Sequence, residues 1–472
     1  MSTPAWAWLF DLGSTFTKLT VVDLACPAHR HAAQAPTTVA TDVREGMAAA
    51  IAAIERGHGV PFAAASLRLA SSSAAGGLAL VVSGLVPRLS LEAGRIASLG
   101  AGAKLVGSWG YRLTASDVRA MESARPDVVL LTGGTDGGDR ETLQHNARAL
   151  LDLRWPAIVI VAGNREVSGD VAQVLGAAGR RTRVAPNIMP EVDRLDVEPV
   201  RTIIREVFLE EIVKAKGIDK ARELVDAPIL PTPYVVLQVV RLLAEDVLRS
   251  PVMVLEIGGA TTNVHSFAEG APRDAGTIRR GFAEPALKRT VEGDLGVRYN
   301  ADRILELAGA EYFTDRIEGL DARALESYVA RVHETPSRLP SDPIERRIDQ
   351  ELAGYAARAA VLRHAGRLEE IVLPTGPRFV QYGKDLRDVP AVVFTGGSVI
   401  NAAAPEIVFR RALGASGGLA LTPESPAFYL DRHYLLYAAG LLVLAGKPRE
   451  SATLLHGSLE ARGALAAATK GS

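Results

Sequence analysis

The sequence is poor in several features that define large classes of proteins. It has a single cysteine, Cys26, so it cannot form an intrachain disulfide or a cysteine-based metal site, which fits a reducing cytoplasm. Aromatic residues make up 5% of the chain, and 53 Lys and Arg balance 54 Asp and Glu. This balance gives no sign of the basic surface with which proteins bind nucleic acid.

Long apolar runs are also missing. The two most apolar stretches, GGLALVVSGLV and YLLYAAGLLVLAG, are shorter than the roughly 20 residues that cross a bilayer. The opening MSTPAWAWLFD has no basic segment, and Asp11 interrupts it, which argues against a signal peptide. We therefore expect a soluble, cytoplasmic protein. Its 472 residues, 48% of them apolar, are enough for two to four domains with large cores.

The first half of the chain alternates strand and helix patterns. WAWLF and LTVVDL read as strands, VREGMAAAIAAIERG as a helix, and DVVLLTGG and AIVIVAGN as strands that end in glycine. This alternation predicts an α/β fold with parallel strands, whose ligands bind beyond the carboxyl ends of the strands.

The later part of the chain reads as more helical. VRTIIREVFLEEIVKAKG and VVLQVVRLLAEDVLRS have helical patterns, and DAPILPTPY between them, with three prolines, is predicted to be an extended connection. Residues 300–375 are charged and helical. They are either amphipathic surface helices or a partner-binding domain, and the sequence does not separate these interpretations.

The plan of the opening turn recurs later in the chain. FDLGSTFTKL has an acidic residue, a Gly-containing turn and a second strand, and VLEIGGATTNV repeats that order, with 256 − 11 = 245 residues between Asp11 and Glu256. A third tip, AVVFTGGSVINAAAPE at 391–406, is a strand, Thr-Gly-Gly and a helix. Any one of these turns alone is an ordinary polar turn.

Together the three tips suit a nucleotide. Their backbone N–H groups and hydroxyls can cradle phosphate oxygens, and Lys18 adds a point charge for the β or γ phosphate. Asp11 and Glu256 are placed to hold the waters of a Mg²⁺ ion, and the third tip suits adenosine and its ribose. The predicted contacts with ATP are Gly13, Ser14, Thr15, Thr17, Lys18, Gly258, Gly259, Thr261, Thr262, Gly396, Gly397 and Ser398.

The three motifs in this order resemble the actin/Hsp70/sugar-kinase ATPase superfamily. The opening is similar to its phosphate-1 motif, residues 252–266 to its phosphate-2 motif, and VVFTGGSVI to its adenosine motif. LLYAAGLLVLAG, with Ala438, Ala439 and Gly440, looks like its second connecting helix. The resemblance implies an α/β fold of two RNase H-like lobes around a nucleotide cleft, with helical insertions.

A closer resemblance is to the MutL family of glutamate mutase accessory proteins, which is unrelated to the mismatch-repair protein of that name. It rests on ASSSAAGGLALVVSGLV, LLTGGTDGGDRE, VAGN, DAPILPTP and IGGATTNVHS, and it runs from residue 7 to about 445. The family is encoded alongside adenosylcobalamin-dependent mutases and aminomutases. The resemblance implies a reactivase or chaperone that uses ATP and Mg²⁺ to restore a mutase carrying damaged cobalamin.

The domain arrangement follows from the order of the motifs. We expect a first ATPase lobe at 1–190, a helical connection at 191–250, a second lobe at 251–299 and 376–446, a helical insertion at 300–375 and a C-terminal tail at 447–472. The insertion is the expected route from lobe closure to the mutase subunits. No nucleic acid or membrane is expected as a partner.

Two departures from the family pattern weaken the prediction of hydrolysis. The phosphate-2 turn usually begins with Asp, where this chain has Glu256, and usually closes with Asp, where it has Asn263. Two alternatives stay open: a small-molecule kinase on the same fold, and a nucleotide-binding scaffold with little ATPase activity, which these two departures support.

Other polar residues have both functional and structural interpretations. Asp136 and Asp139 in TGGTDGGDRE are candidates to orient the attacking water, with Asp136 as a catalytic residue, or they are turn residues beside glycine. Asn164 either contacts the cleft or caps a helix. The serines of SSSAAGG favour a turn or cap over phosphate contact, and HRH at 29–31 a solvated loop over a metal site.

Overall fold

The computed structural model describes residues 5–464, apart from 14, 39–40, 74–77, 193, 213–217, 283, 375 and 415–417. Ser14, a predicted phosphate contact, thus lies outside the described residues. The chain forms two compact units. Unit 1 comprises Met1–Ala74 and Lys220–Ser472, and unit 2 is Ala75–Asp219. The predicted domain boundaries differ from these limits and stay a prediction.

The strands and helices are numbered in chain order. The strands are β1 (Trp6–Leu12), β2 (Phe16–Asp23), β3 (Arg30–Pro36), β4 (Ala65–Ser72), β5 (Ala79–Gly84), β6 (Lys104–Gly110), β7 (Val128–Leu131), β8 (Ile158–Val161), β9 (Thr182–Val184), β10 (Leu230–Pro231), β11 (Val252–Ile257), β12 (Thr262–Phe267), β13 (Ile278–Arg280), β14 (Leu287–Glu292), β15 (Arg367–Leu373), β16 (Gly376–Tyr382), β17 (Ala391–Thr395), β18 (Ala427–Asp431) and β19 (Leu459–Ala464). The α-helices are α1 (Val43–His58), α2 (Glu92–Gly100), α3 (Ala115–Ala124), α4 (Glu141–Ala149), α5 (Arg165–Ala177), α6 (Glu198–Val207), α7 (Thr232–Leu242), α8 (Ala301–Ala308), α9 (Ala310–Thr314), α10 (Ala322–Glu334), α11 (Pro343–His364), α12 (Gly397–Ile400), α13 (Pro405–Leu413), α14 (Leu436–Leu444) and α15 (Pro448–His456).

Unit 1 contains two sheets of one plan. The first sheet has the order β10-β4-β1-β2-β3, and the second has β14-β12-β11-β17-β18-β19. In each, three antiparallel strands are followed by a parallel neighbour, β4 beside β1 and β17 beside β11. Both central strands, β1 and β11, are buried along their whole length, as expected for apolar runs covered on two faces. The predicted α/β fold class with two RNase H-like sheets is confirmed.

Helix α7 follows strand β10, which is parallel to β4 in the first sheet. Helix α14 follows strand β18, which is parallel to β17 in the second sheet. Their apolar side chains share one core with residues of both sheets, among them Leu9 of β1 and Val254 of β11. The two helices approach closely at Gly440, where a Cβ atom would lie 2.3 Å from the Val235 carbonyl oxygen. A side chain at position 440 would therefore force the helices apart.

Parts of the helical prediction are wrong in detail. DAPILPTPY is not extended throughout, because α7 begins at Thr232 and Pro233 lies in its first turn, where proline costs no hydrogen bond. The helices after residue 300 end at His364. Strand β15 follows and pairs with β16 in a small sheet of order β13-β16-β15, and the chain after 447 adds α15 and β19.

Unit 2 is a separate α/β unit with its own core. Its five strands are all parallel, in the order β6-β5-β7-β8-β9. Side chains of β5, β7 and β8 pack with those of α3, α4 and α5 in one apolar cluster. The predicted strands DVVLLTGG and AIVIVAGN are β7 and β8 of this sheet.

Candidate functional site

Two matching hairpins of unit 1 form the candidate site. In the first, the Gly13 N–H donates to the Phe16 carbonyl at 3.1 Å, and in the second the Gly258 N–H donates to the Thr261 carbonyl at 3.0 Å. Asp11 lies opposite Lys18 in the first register, and Glu256 opposite Asn263 in the second. The two acidic residues therefore occupy the same position relative to their turns.

Asp11 lies at the centre of a group of hydroxyls and one amine. Its side chain is 1% exposed, and its Oδ1 accepts hydrogen bonds from Thr232 Oγ1 at 2.7 Å and Ser71 Oγ at 3.4 Å. Its Oδ2 lies 3.5 Å from both Lys18 Nζ and the Tyr434 hydroxyl. Donors from four separate parts of unit 1 thus fix the position of this carboxylate.

Lys18 links the two hairpins electrostatically. Its Nζ lies 3.5 Å from the centre of the Tyr434 ring, in cation–π geometry, while it pairs with Asp11. The positive charge of Lys18 also contributes to lowering the pKa of Glu256. Lys18 therefore contacts the carboxylate of the first hairpin and acts on that of the second hairpin through its charge.

Glu256 belongs to a second buried polar group. Its Oε2 accepts from Asn263 Nδ2 at 3.0 Å and lies 3.9 Å from His265 Nε2. Burial by itself raises the pKa of Glu256, but His265, Arg289 and Lys18 outweigh it and the net shift is downward. Burial lowers the pKa of His265, and the neighbouring Glu256 opposes this shift.

Arg289 closes the second group. Its Nη2 donates to Asn263 Oδ1 at 3.1 Å, and burial lowers its pKa to about 9. The register sets His265 opposite Arg289 and Asn263 opposite Glu256, so all four side chains project from one face of the second sheet. This face carries a buried negative charge and a buried positive charge joined by an amide.

The third predicted tip lies against the second hairpin. Gly396 has φ 108°, and a Cβ atom there would lie 2.2 Å from the Ile257 carbonyl oxygen, so only glycine fits this approach. Thr395 Oγ1 donates to Asp431, which also accepts from the Leu435 and Leu436 N–H groups. Gly397 and Ser398 begin α12.

Several predicted residues point away from this group. Thr17 is buried, with its Oγ1 3.3 Å from that of Thr37, and Thr262 is buried and donates to the Leu295 carbonyl at 2.7 Å. Side chains alternate along a strand, so Thr17 and Lys18 lie on opposite faces. A phosphate contact through these two hydroxyls stays a prediction. The half-buried Thr15 and the turn residues Gly259 and Thr261 lie at the hairpin tips.

The predicted polar residues of unit 2 have local partners. Asp136 Oδ1 accepts from the Arg165 N–H at 3.0 Å and from Asn187 Nδ2 at 2.8 Å, while Asp139 accepts from the Thr142 N–H. Asn164 is the N-cap of α5. These contacts are those of turn and cap residues, and a catalytic role of Asp136 stays a prediction.

The serine run and the histidines also have structural partners. Ser71 donates to Asp11, and Ser72 donates to the Leu12 carbonyl. Arg30 and His31 lie in strand β3 rather than in the predicted loop, and His31 stacks on His58 with ring centres 4.0 Å apart. Across the described part of the chain, no group of three or more His, Cys, Asp or Glu side chains is arranged to hold a metal ion, and no helix is long and apolar enough to cross a membrane.

Sequence reasoning missed residues that reach the site from a distance. Thr232, Arg289 and Tyr434 are far in the chain from the carboxylates that they serve, so no spacing pattern connects them. The sequence offers a signal for Thr232, because it lies in DAPILPTP, one of the stretches on which the family resemblance rests.

The donor set of the site fits Mg²⁺ held together with a nucleotide. Mg²⁺ is commonly bound by one or two carboxylates, its own waters and the substrate phosphates, rather than by a full protein cage. Asp11 and Glu256 are two such carboxylates at equivalent positions, and Lys18, paired with Asp11, matches phosphate. The residues present therefore fit both predicted groups.

Two sheets of one plan, each with a carboxylate beside its glycine turn, define a protein of the actin-like ATPase fold. A family model described as "MutL protein" matches residues 7–459. Protein MutL of Clostridium tetanomorphum is 39% identical over 446 residues, covering 92% of this chain and 95% of that protein. The chain therefore belongs to the MutL family, the family of glutamate mutase accessory proteins.

Solved structures are more distant. A diol dehydratase-reactivating factor in nucleotide-free form is 15% identical, covering 94% of this chain and 100% of that one, with a TM-score of 0.36. A glycerol dehydratase reactivase is 11% identical, covering 93% and 100%, with a TM-score of 0.35. The xylulose kinase of Bifidobacterium adolescentis is 12% identical, covering 98% and 96%, with a TM-score of 0.33. Likenesses this weak carry no argument about function.

Proposed function

We propose that this protein binds ATP with Mg²⁺ at the two hairpins of unit 1 and acts as a reactivase or chaperone for an adenosylcobalamin-dependent mutase or aminomutase. The observation that carries the nucleotide site is the equivalent placement of Asp11 and Glu256 beside the glycine turns of two matching hairpins, with Lys18 paired to Asp11. A partly buried ammonium group paired with a buried carboxylate is a ready partner for phosphate and metal together. The mutase partner is inferred from membership of the MutL family.

The proposed roles follow from the contacts. Lys18 would turn from Asp11 and Tyr434 to the β or γ phosphate. Asp11 and Glu256 would hold Mg²⁺ through its waters, and the metal would supply charge neutralisation at the phosphates. Thr232 keeps the Asp11 carboxylate in place. The TGG turn at Gly396 and Gly397 receives the adenosine and ribose.

The decisive experiment uses a mutase of the glutamate mutase class inactivated with hydroxocobalamin. The purified protein is added with Mg²⁺ and ATP, with Mg²⁺ and ADP, or without nucleotide, and released cobalamin is measured by absorbance after filtration. We expect cobalamin release only in the sample with Mg²⁺ and ATP, and no release from that sample when the Lys18→Met variant replaces the native protein. Absence of release across mutases of this class, together with absence of ATP binding, would show that the proposal is wrong.

A nucleotide-binding scaffold with little hydrolysis is the second candidate. It is favoured by the hydrogen bond from Asn263 to Glu256, which engages one oxygen of a proposed metal-binding carboxylate. Phosphate release distinguishes the two functions. A scaffold binds ATP without releasing phosphate, and Glu256→Ala leaves the rate at its background value.

A further inference from the structure

Glu256, which departs from the superfamily's phosphate-2 pattern, and Asn263, which departs from the family pattern, are in direct contact. Strands β11 and β12 pair them across the second hairpin, and Asn263 Nδ2 donates to Glu256 Oε2 at 3.0 Å. Both side chains are almost fully buried, Glu256 at 9% and Asn263 at 5% exposure. A change at either position is therefore felt directly at the other.

The orientation of the Asn263 amide is fixed from behind. Arg289 Nη2 donates to Asn263 Oδ1 at 3.1 Å, so the amide oxygen faces the guanidinium and the amide nitrogen faces the carboxylate. Arg289 is itself 4% exposed, and it pairs in register with His265 on the same face. The amide therefore presents its N–H group, which carries a partial positive charge, to the Glu256 carboxylate, and Asn263 itself adds no full charge beside it.

The lengths of the two side chains are matched. Aspartate at position 256 is one methylene shorter and draws back from the amide, whereas aspartate at 263 sets a second carboxylate beside Glu256, and two like charges at this separation disfavour each other. A longer acid facing a neutral amide avoids both problems. Glu256 and Asn263 therefore form one matched pair, and neither of them replaces aspartate independently of the other.

We propose that Asn263 is a positioning residue that, held by Arg289, fixes the Glu256 carboxylate for Mg²⁺ at the nucleotide site. This inference rests on the proposed function, since it assigns a supporting residue to the same site. It assigns no direct contact of Asn263 with metal or nucleotide. Groups that support a metal-binding carboxylate typically change metal affinity by about 10- to 100-fold when they are removed.

A length swap tests the pair. Glu256→Asp opens a gap between the carboxylate and the Asn263 amide, and Asn263→Gln makes the amide side chain one methylene too long. The double variant Glu256→Asp with Asn263→Gln moves one methylene from the first side chain to the second and keeps their summed length. The measurement is the affinity for ATP by calorimetry, once with Mg²⁺ and once with EDTA. The ratio of the two dissociation constants gives the enhancement by Mg²⁺, which a loss of stability alone does not change.

We expect each single variant to lower the Mg²⁺ enhancement by about tenfold with little change in the EDTA value, and the double variant to recover most of it. Asn146→Gln, the same substitution at a buried asparagine of unit 2, serves as the control. It is expected to lower the melting temperature and leave the enhancement unchanged.

The outcomes separate the two proposals. Wild-type protein that does not bind ATP overturns the proposed function and this inference with it. ATP binding whose Mg²⁺ enhancement is unaffected by Asn263→Gln, or a double variant no better than Glu256→Asp, overturns the positioning role alone. A drop in melting temperature without a change in the enhancement has the same meaning, because it gives Asn263 a structural role only.

Discussion

Lys18 pairs with the buried Asp11 carboxylate in the free protein, and it is the proposed cation for the phosphates of the nucleotide. Its ammonium group also lies over the Tyr434 ring. Lys18→Met keeps the apolar stem and removes the charge, so ATP affinity is expected to fall by about 10- to 100-fold, from the loss of a charge-assisted hydrogen bond of roughly 1.5–3 kcal/mol. Calorimetric titration measures the change. Lys447→Met, at a partly exposed lysine of the same unit, should bind like the wild type.

Lys384 is a second residue whose surroundings determine a measurable property. It is buried, its Nζ donates to the Ala268 and Ala286 carbonyls, and burial lowers its pKa to about 7, against a smaller opposing effect of Glu284. The unfolded chain, with a lysine pKa near 10.4, then binds more protons than the native protein between these values. Stability therefore rises with pH from about 7 to 10, with a slope of up to roughly 1.4 kcal/mol per pH unit from this group.

The pH dependence of Lys384 is measured by urea unfolding at pH 7 and pH 9.5. In Lys384→Met the part of the rise that comes from this lysine disappears, so the difference between the two pH values becomes smaller than in the wild type. Lys104→Met, at a half-buried lysine of unit 2, is the control and keeps the wild-type difference. Equal pH differences in Lys384→Met and wild type would contradict the prediction.

At the level of elements, the close approach of α7 and α14 depends on Gly440. A methyl group there meets the Val235 carbonyl, so Gly440→Ala is expected to lower the free energy of unfolding by about 1–3 kcal/mol, although alanine favours a helix. Gly57 in α1, in the same unit, has open space around its Cβ position. Gly57→Ala should instead stabilise the protein by about 0.4–1 kcal/mol. Opposite signs in chemical unfolding distinguish the packing effect from helix propensity.

The elements that the sequence predicted are those with strong local patterns. The hairpins around Gly13 and Gly258 have apolar strands on each side of a glycine turn, and both are present as predicted. Strand β15 was not predicted, because Arg367–Leu373 is charged and continues a helical pattern, and its pairing with β16 decides its state. The partners of Glu256 were also missed, since Arg289 meets Asn263 only after β14 pairs with β12.

At the level of the whole molecule, the described residues of the candidate site all lie in unit 1, although unit 2 is inserted into the chain of unit 1. Asp11 lies before the interruption, and Glu256 and Tyr434 lie after it. The sequence pattern predicts a first lobe at 1–190, because the strands of unit 2 have the same local signals as those of unit 1, and this boundary stays a prediction. The order β6-β5-β7-β8-β9 and the separate core of unit 2 depend on contacts between distant residues, which a local pattern does not contain.

This arrangement makes a prediction for calorimetry of the intact protein. Each unit has its own apolar cluster, so heating should give two transitions, which Gly440→Ala identifies for unit 1 and Leu130→Ala, in the buried strand β7, for unit 2. Mg²⁺ and ATP at 100 times the dissociation constant should stabilise the unit 1 transition by about 2.7 kcal/mol, because ligand that binds only the native state shifts unfolding by mass action. With its affinity weaker by about 10- to 100-fold, Lys18→Met should reduce this shift to roughly 0.4–1.4 kcal/mol at the same ligand concentration. A transition of unit 1 that ATP leaves unchanged in the wild type would place the nucleotide site outside the two hairpins.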